Sequence, residues 1–315
     1  MNGSLVDYFH NERGLRQGDP ISPYLFLIAM EVFTKLLEAK VAQKGFDFHP
    51  KCEQLKLTQI SFADGLFILS AANSRSFQLI REILDEFATL SGLKANPIKS
   101  QVLFAGVEDE EMQSLSNIIQ MSVGSLPVRY LDLPLISSRL SFKDCQPIFI
   151  KIEQKIHSWA AKKLSYGGRV QLIKSGLVGI HLYWSSTFIL PKAVLNKINS
   201  FLASFLWSGD TNNHYSAKVK WKEVCTPCKE GELGIIDIIL WNKCLILKQV
   251  WNVCCKKDSL WVKWIHTVNL KYKSFWGFKA PTDCCWSWRK ILKMRELVQT
   301  FIKQYVWNGE NTNLW

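Results

Sequence analysis

The chain has 315 residues, 48% hydrophobic and 21% charged, which excludes a disordered polymer and is long enough for two separate cores. No apolar run approaches the ~20 residues that span a bilayer, and the polar start Met1-Asn2-Gly3-Ser4 lacks a secretory pattern, so a non-membrane, intracellular protein, nuclear or cytoplasmic, is expected. The net charge of +12 is unevenly held: residues 1–140 carry 13 Lys+Arg against 16 Asp+Glu, and residues 141–315 carry 26 against 11. All 13 tryptophans also lie in that second part, a composition that suits contact with a polyanion beside a more acidic, carboxylate-bearing half. The plain alternative is a solvated basic surface over a Trp-rich core. Nine cysteines, odd in number and irregularly placed, argue against a disulfide framework.

In chain order, Ser22-Pro23 followed by Leu25, Ile28, Ala29, Val32, Leu36 and Leu37 predicts a helix, with Ser22 as N-cap and Pro23 at the first helical position. Leu55 to Phe62 and Leu66 to Ser70 read as two strands joined by a tight Asp64-Gly65 turn. Asn73 or Ser74 suits the cap of a second helix, with Ile80, Ile83, Leu84 and Phe87 on one face and Gly92 at its stop. Gln101 to Phe104 is a further short strand, and this alternation ends in the acidic run Glu108 to Glu111. Tyr130 to Leu135 looks like a short strand or turn. From Ser141 onward the pattern is mainly helical: Ile148, Ile152, Ile156 and Trp159 share one face, as do Val170, Ile173, Leu177 and Ile180. The shift in period falls with the shift in charge, near residue 140.

Arg13-Gly14-Leu15-Arg16-Gln17-Gly18-Asp19-Pro20 is a rigid loop feeding a helix N-terminus, where backbone N–H groups and the helix dipole favour phosphate. Together with Phe62-Ala63-Asp64-Gly65, this run resembles the loop-helix and active-site hairpin of reverse transcriptases, especially those of plant non-LTR (LINE-type) retrotransposons. The resemblance implies that Gln17 and Gly18, with Phe62 and Ala63, lie near nucleotide and template, and that Arg13 and Arg16 approach the nucleic-acid backbone.

Polymerases of this kind use two divalent ions held by clustered carboxylates. In the family these are two adjacent aspartates at the hairpin tip and one on an earlier strand. Asp64 matches the first of the pair and is the implied metal ligand, while Gly65 replaces the second. The earlier strand should lie well before Arg13, so a chain starting twelve residues before it is expected to lack that aspartate and the fingers region. Alone, Asp64-Gly65 would be read as a type I′ hairpin turn.

Ser91-Gly92-Leu93-Lys94-Ala95-Asn96-Pro97-Ile98-Lys99-Ser100 resembles the next family motif, which implies Lys99 near the nucleotide phosphates as a general acid for pyrophosphate. Arg129 to Leu135 resembles the primer-grip hairpin, with Asp132 where the family usually has glycine. His157-Ser158-Trp159, Gly168-Arg169, Gln171 to Ser175, Tyr183-Trp184-Ser185 and Phe205 to Gly209 resemble the thumb, implying phosphate contacts by Lys162, Lys163, Arg169 and Lys174 along an RNA–DNA duplex. Trp159, Trp184 and Trp207 sit among aliphatic residues and are expected in the core. Cys225-Thr226-Pro227-Cys228 has the spacing of a zinc half-site but no matching second pair.

The fold expected is α+β: an incomplete polymerase palm of helix plus antiparallel hairpin over 1–140, a thumb-like helical region over 141–210, and a Trp/Cys-rich helical region over 211–315. The resemblance implies an RNA-directed DNA polymerase using Mg2+, an RNA template and deoxynucleotides. Gly65 and the missing pieces point to an inactive copy. The alternatives are a non-enzymatic RNA- or DNA-binding remnant and a maturase-like splicing factor.

Overall fold

The structure, a computed structural model, describes residues 14–15, 18–43, 45–160, 164–210, 216–282 and 284–302. The chain divides into two units, Met1–Val128 and Arg129–Trp315. Helices dominate and the strands form small two-stranded sheets, an α+β composition.

In the first unit, α1 (Ser22–Ala42) starts without a side-chain cap at Ile21. Asp19, not Ser22, turns the chain into the helix. Its Oδ1 accepts from the Ile21 N–H at 3.1 Å and its carbonyl accepts from the Ser22 N–H at 3.1 Å. Pro23 lies in the first turn, where its missing N–H costs no intrahelical bond. The antiparallel strands β1 (Gln59–Phe62) and β2 (Gly65–Ile68) pair from Gln59 opposite Ile68 to Phe62 opposite Gly65. β1 is shorter than the sequence pattern suggests, because Glu53–Leu55 form a 3-10 turn that leaves Lys56 at φ +48. The next helix, α2 (Ser74–Ser91), is capped by the Asn73 side chain, which accepts from the Ser76 N–H at 2.8 Å, and it stops at Gly92 with φ +73.

Phe33 and Leu37 of α1 are buried against Ile83 and Phe87 of α2, with Leu66 and Ile68 of β2 at the margin. Gln59 Nε2 donates to Thr34 Oγ1 at 2.7 Å and fastens the base of the hairpin to α1. This packing is what holds the hairpin tip in place. A second cluster gathers Phe46, Phe77 and Ile80 with Leu115 and Ile119 of α3 (Asp109–Ile119). That helix connects the parallel pair β3 (Gln101–Val102) and β4 (Ser122–Val123). The acidic run is thus a helix start, not the end of the alternation: Asp109, Glu110 and Glu111 fill the first turn, where negative charge complements the dipole. The outer face of α1 stays apolar and open at Tyr24, Leu27, Ile28 and Val32.

A hairpin of β5 (Val128–Tyr130) and β6 (Leu133–Leu135) opens the second unit. Its main core joins Ile148, Ile152 and Ile156 of α4 (Gln146–Ala160) to Val194, Ile198, Leu202 and Phe205 of α7 (Lys192–Ser208). Between them run α5 (Tyr166–Leu172), a π-helical turn at Ile173–Leu177 and α6 (Val178–Thr187). Gly176 in that turn faces the Trp159 ring so closely that a Cβ there would come within 2.8 Å of it. After the short α8 (Trp221–Val224), a further cluster forms from Ile246, Val250 and Val253 of α9 (Ile238–Cys254) with Trp288, Ile291 and Leu292 of α11 (Trp286–Lys293). α10 (Leu260–Trp264), a second π-helical turn at Ile265–Asn269 and α12 (Arg295–Gln299) complete it. Among the described residues no helix is long and apolar enough to cross a membrane.

Candidate active-site hairpin and nucleic-acid interface

Phe62 pairs with Gly65, so the central residues of the tip are Ala63 and Asp64 rather than Asp64 and Gly65. Ala63 takes φ +49, and neither Asp64 nor Gly65 has a positive φ. The type I′ geometry expected from Asp-Gly is therefore not formed, since it needs both central φ values positive. Gly65 is an ordinary strand position. Phe62, Ala63 and Asp64 are exposed, and the Asp64 carboxylate meets no hydrogen-bond donor or cation among the described residues.

Gly18 is exposed in the loop before α1, with φ +91. Arg13, Arg16 and Gln17 lie outside the described residues. Lys99 is exposed on a turn organised by Asn96, whose Oδ1 accepts from the Ile98 N–H at 3.0 Å and the Lys99 N–H at 3.3 Å. Among the described residues, no hydrogen bond or ion pair links Asp64, Gly18 and Lys99.

A two-ion centre needs several carboxylates converging on one place. Among the described residues no group of three or more His, Cys, Asp or Glu side chains does so. Asp64, exposed and outside any such group among the described residues, does not by itself fit such a centre. The Cys225–Cys228 segment likewise belongs to no such group among the described residues, and burial pushes the Cys225 thiol up to about 11.

In the second unit the β5–β6 turn is held from two sides. Leu131 and Asp132 both take positive φ, +50 and +63, the pair of values a type I′ turn requires. Asp adopts this region more readily than most residues. Lys151 Nζ donates to Asp132 Oδ2 at 2.7 Å, and this hydrogen bond and charge hold the carboxyl below the usual carboxylate range. Tyr183 Oη donates to the Leu131 carbonyl at 2.7 Å. Neither Lys151 nor Tyr183 had a local signal for this role, because they lie 19 and 52 residues from their partners.

Arg169 lies against the backbone at the end of α7, where a Cβ on Gly209 would stand 3.5 Å from its Nη1. Beside it, His157 Nδ1 is 3.5 Å from Asp210 Oδ1, an ion pair only when the imidazole is protonated. Lys174, in the π-helical turn, has its Nζ 3.8 Å from Cys228 Sγ. These two cations thus have different neighbours, and Lys162 and Lys163 lie outside the described residues. Trp184 is buried, and Trp159 and Trp207 pack against the same core, as their aliphatic surroundings imply. Trp241, Trp251, Trp261 and Trp276 are instead exposed.

Residues 1–135 match the family model of reverse transcriptase (RNA-dependent DNA polymerase). That stretch, less than half of the chain, is similar to the reverse transcriptase family, whose members use divalent metal and bind a nucleic-acid template. Similar curated proteins include an Arabidopsis thaliana protein named as a ribonuclease H protein, 28% identical over 190 residues. Another is the transposon TX1 uncharacterized 149 kDa protein of Xenopus laevis, 26% identical over 254 residues. The matches cover 58% and 76% of this chain but only 30% and 18% of those relatives.

Proposed function

We propose that the chain is the palm-and-thumb part of a non-LTR retrotransposon reverse transcriptase, and that this copy binds nucleic acid without polymerising deoxynucleotides on its own. The family match over 1–135 and a relative named as a transposon protein support the origin. The observation that carries the loss of chemistry is the hairpin tip. Gly65 occupies a strand position that asks for no glycine, so the turn gains nothing in exchange for the missing carboxylate. In this reading Asp64 is the remnant of the family's metal-ligand set, Lys99 the residue in the place of the proton donor toward pyrophosphate, and Gly18, Phe62 and Ala63 border the nucleotide and template. Arg169 and Lys174, with Lys162 and Lys163, supply phosphate contacts along an RNA–DNA duplex.

Primer extension on poly(rA)/oligo(dT) with Mg2+ or Mn2+ tests the reading. The expected result is no synthesis, together with duplex binding that weakens steeply with salt. Gly65→Asp is expected not to restore synthesis, because it adds one carboxylate to Asp64 where no third acidic group is gathered among the described residues. Sustained metal-dependent synthesis by the unmodified chain would sink the proposal.

A further inference from the structure

We infer that the outward face of α9 is a stacking platform for single-stranded nucleic acid, an inference that rests on the nucleic-acid reading above. α9 buries Ile238, Asn242, Ile246, Val250 and Val253. At 100° per residue, the side chains on the opposite arc are Leu240, Trp241, Cys244, Lys248 and Trp251. Trp241 is 41% and Trp251 51% exposed, which is unusual for indoles and leaves both rings open to a ligand. Ten residues separate them, about 15 Å along the axis, so the two rings reach different bases of one strand.

The unengaged charge around this stripe is positive. Lys248 lies between the two tryptophans, and the exposed Lys256 and Lys257 follow the helix end. The acidic groups nearby are already engaged. Asp237 Oδ1 accepts from the Ile239 and Leu240 N–H groups at 2.9 and 3.1 Å, and Asp258 pairs with Lys263 at 2.7 Å. Exposed aromatic faces for bases, with unpaired lysines for phosphates, are what sequence-tolerant single-strand binding uses. A protein-docking face would place aromatics at its centre too, but lysine is depleted there. A duplex, whose bases are already stacked, offers these rings nothing to stack on.

The test is fluorescence anisotropy of the full chain with a fluorescein-labelled 20-mer of oligo(dT) or oligo(U). Trp241→Ala with Trp251→Ala is expected to weaken binding by about fivefold or more for each tryptophan, while the corresponding Phe pair retains most of it. Replacing Lys248, Lys256 and Lys257 with Gln is expected to flatten the log–log salt dependence by about 2 in total. Affinities of the Ala pair and the Gln triple variant within twofold of the unmodified chain would overturn the inference and leave the broader reading standing. No binding of any nucleic acid by the unmodified chain at low salt would overturn both. Loss of self-association in sedimentation, with oligonucleotide affinity unchanged, would assign the face to protein contact and overturn the inference.

Discussion

His181 has no exposed surface, and neither ring nitrogen has a hydrogen-bond partner among the described residues. Burial pushes its pKa down to about 4, against a weaker opposing pull from the Val178 backbone, whose contact with the ring falls short of hydrogen-bond geometry. The unfolded chain takes up this proton near pH 6.5 and the folded chain resists it until about 4. Stability is therefore fully present above pH 6.5 and falls as the pH drops toward 4, by on the order of 3 kcal/mol from this group. Urea midpoints at pH 7.5 and 5 should show the difference, and His181→Leu should shrink it. At the hairpin tip, Gly65→Asp is expected to leave the unfolding free energy, read from thermal melts, unchanged within about 0.5 kcal/mol, since neither residue favours strands and the backbone accepts both. In the β5–β6 turn, Tyr183→Phe removes the donor to Leu131 and should cost about 1 kcal/mol by thermal melt.

Among the elements, Asn242 is the residue that sequence reading missed and packing depends on. From the buried face of α9 its Oδ1 accepts from the Leu190 N–H at 3.1 Å, and its Nδ2 donates to the Ser185 and Phe188 carbonyls at 3.2 and 2.9 Å. It thereby satisfies the backbone where α6 gives way to α7. Asn242→Leu leaves a buried N–H unpaired and should destabilise by about 3 kcal/mol, read as a shift in the urea midpoint. Gly176→Ala should also destabilise, by about 1–3 kcal/mol, because the added methyl would meet the Trp159 ring at 2.8 Å where that ring packs against the core. The helices with a clean 3.6-residue pattern were legible in the sequence: Ile148, Ile152 and Ile156 are fully buried as spaced. α3 was not, because its charges were read as a run rather than as a first turn. Asn242 was invisible for a different reason: a polar residue in an apolar run announces itself only through partners more than 50 residues away.

For the whole molecule, the charge imbalance between residues 1–140 and 141–315 predicts that binding of RNA–DNA duplex falls linearly on a log–log plot against salt. Arg169→Gln and Lys174→Gln should each reduce that slope by about 0.9 if each meets one phosphate, and filter binding at several salt concentrations measures it. How much of the candidate site was legible follows from how local its signals are. The hairpin and the loop before α1 are contiguous strings, so Asp64, Gly18 and Lys99 stood out by motif alone. The exposed tryptophans of α9 did not, since composition reports how many indoles a chain has and not which way each one faces.

The turn at Ala63 and Asp64 separates two demands that a catalytic loop usually combines. The left-handed conformation falls on Ala63, so under the proposed reading a carboxylate at position 65 would serve chemistry while the turn asks for no special backbone there. A cell that discards misfolded chains has no means of noticing a change there. Under the proposed reading, once copying is no longer selected such a residue drifts at the neutral rate while the hairpin around it stays intact, which is how a copy without synthesis would still fold and meet nucleic acid.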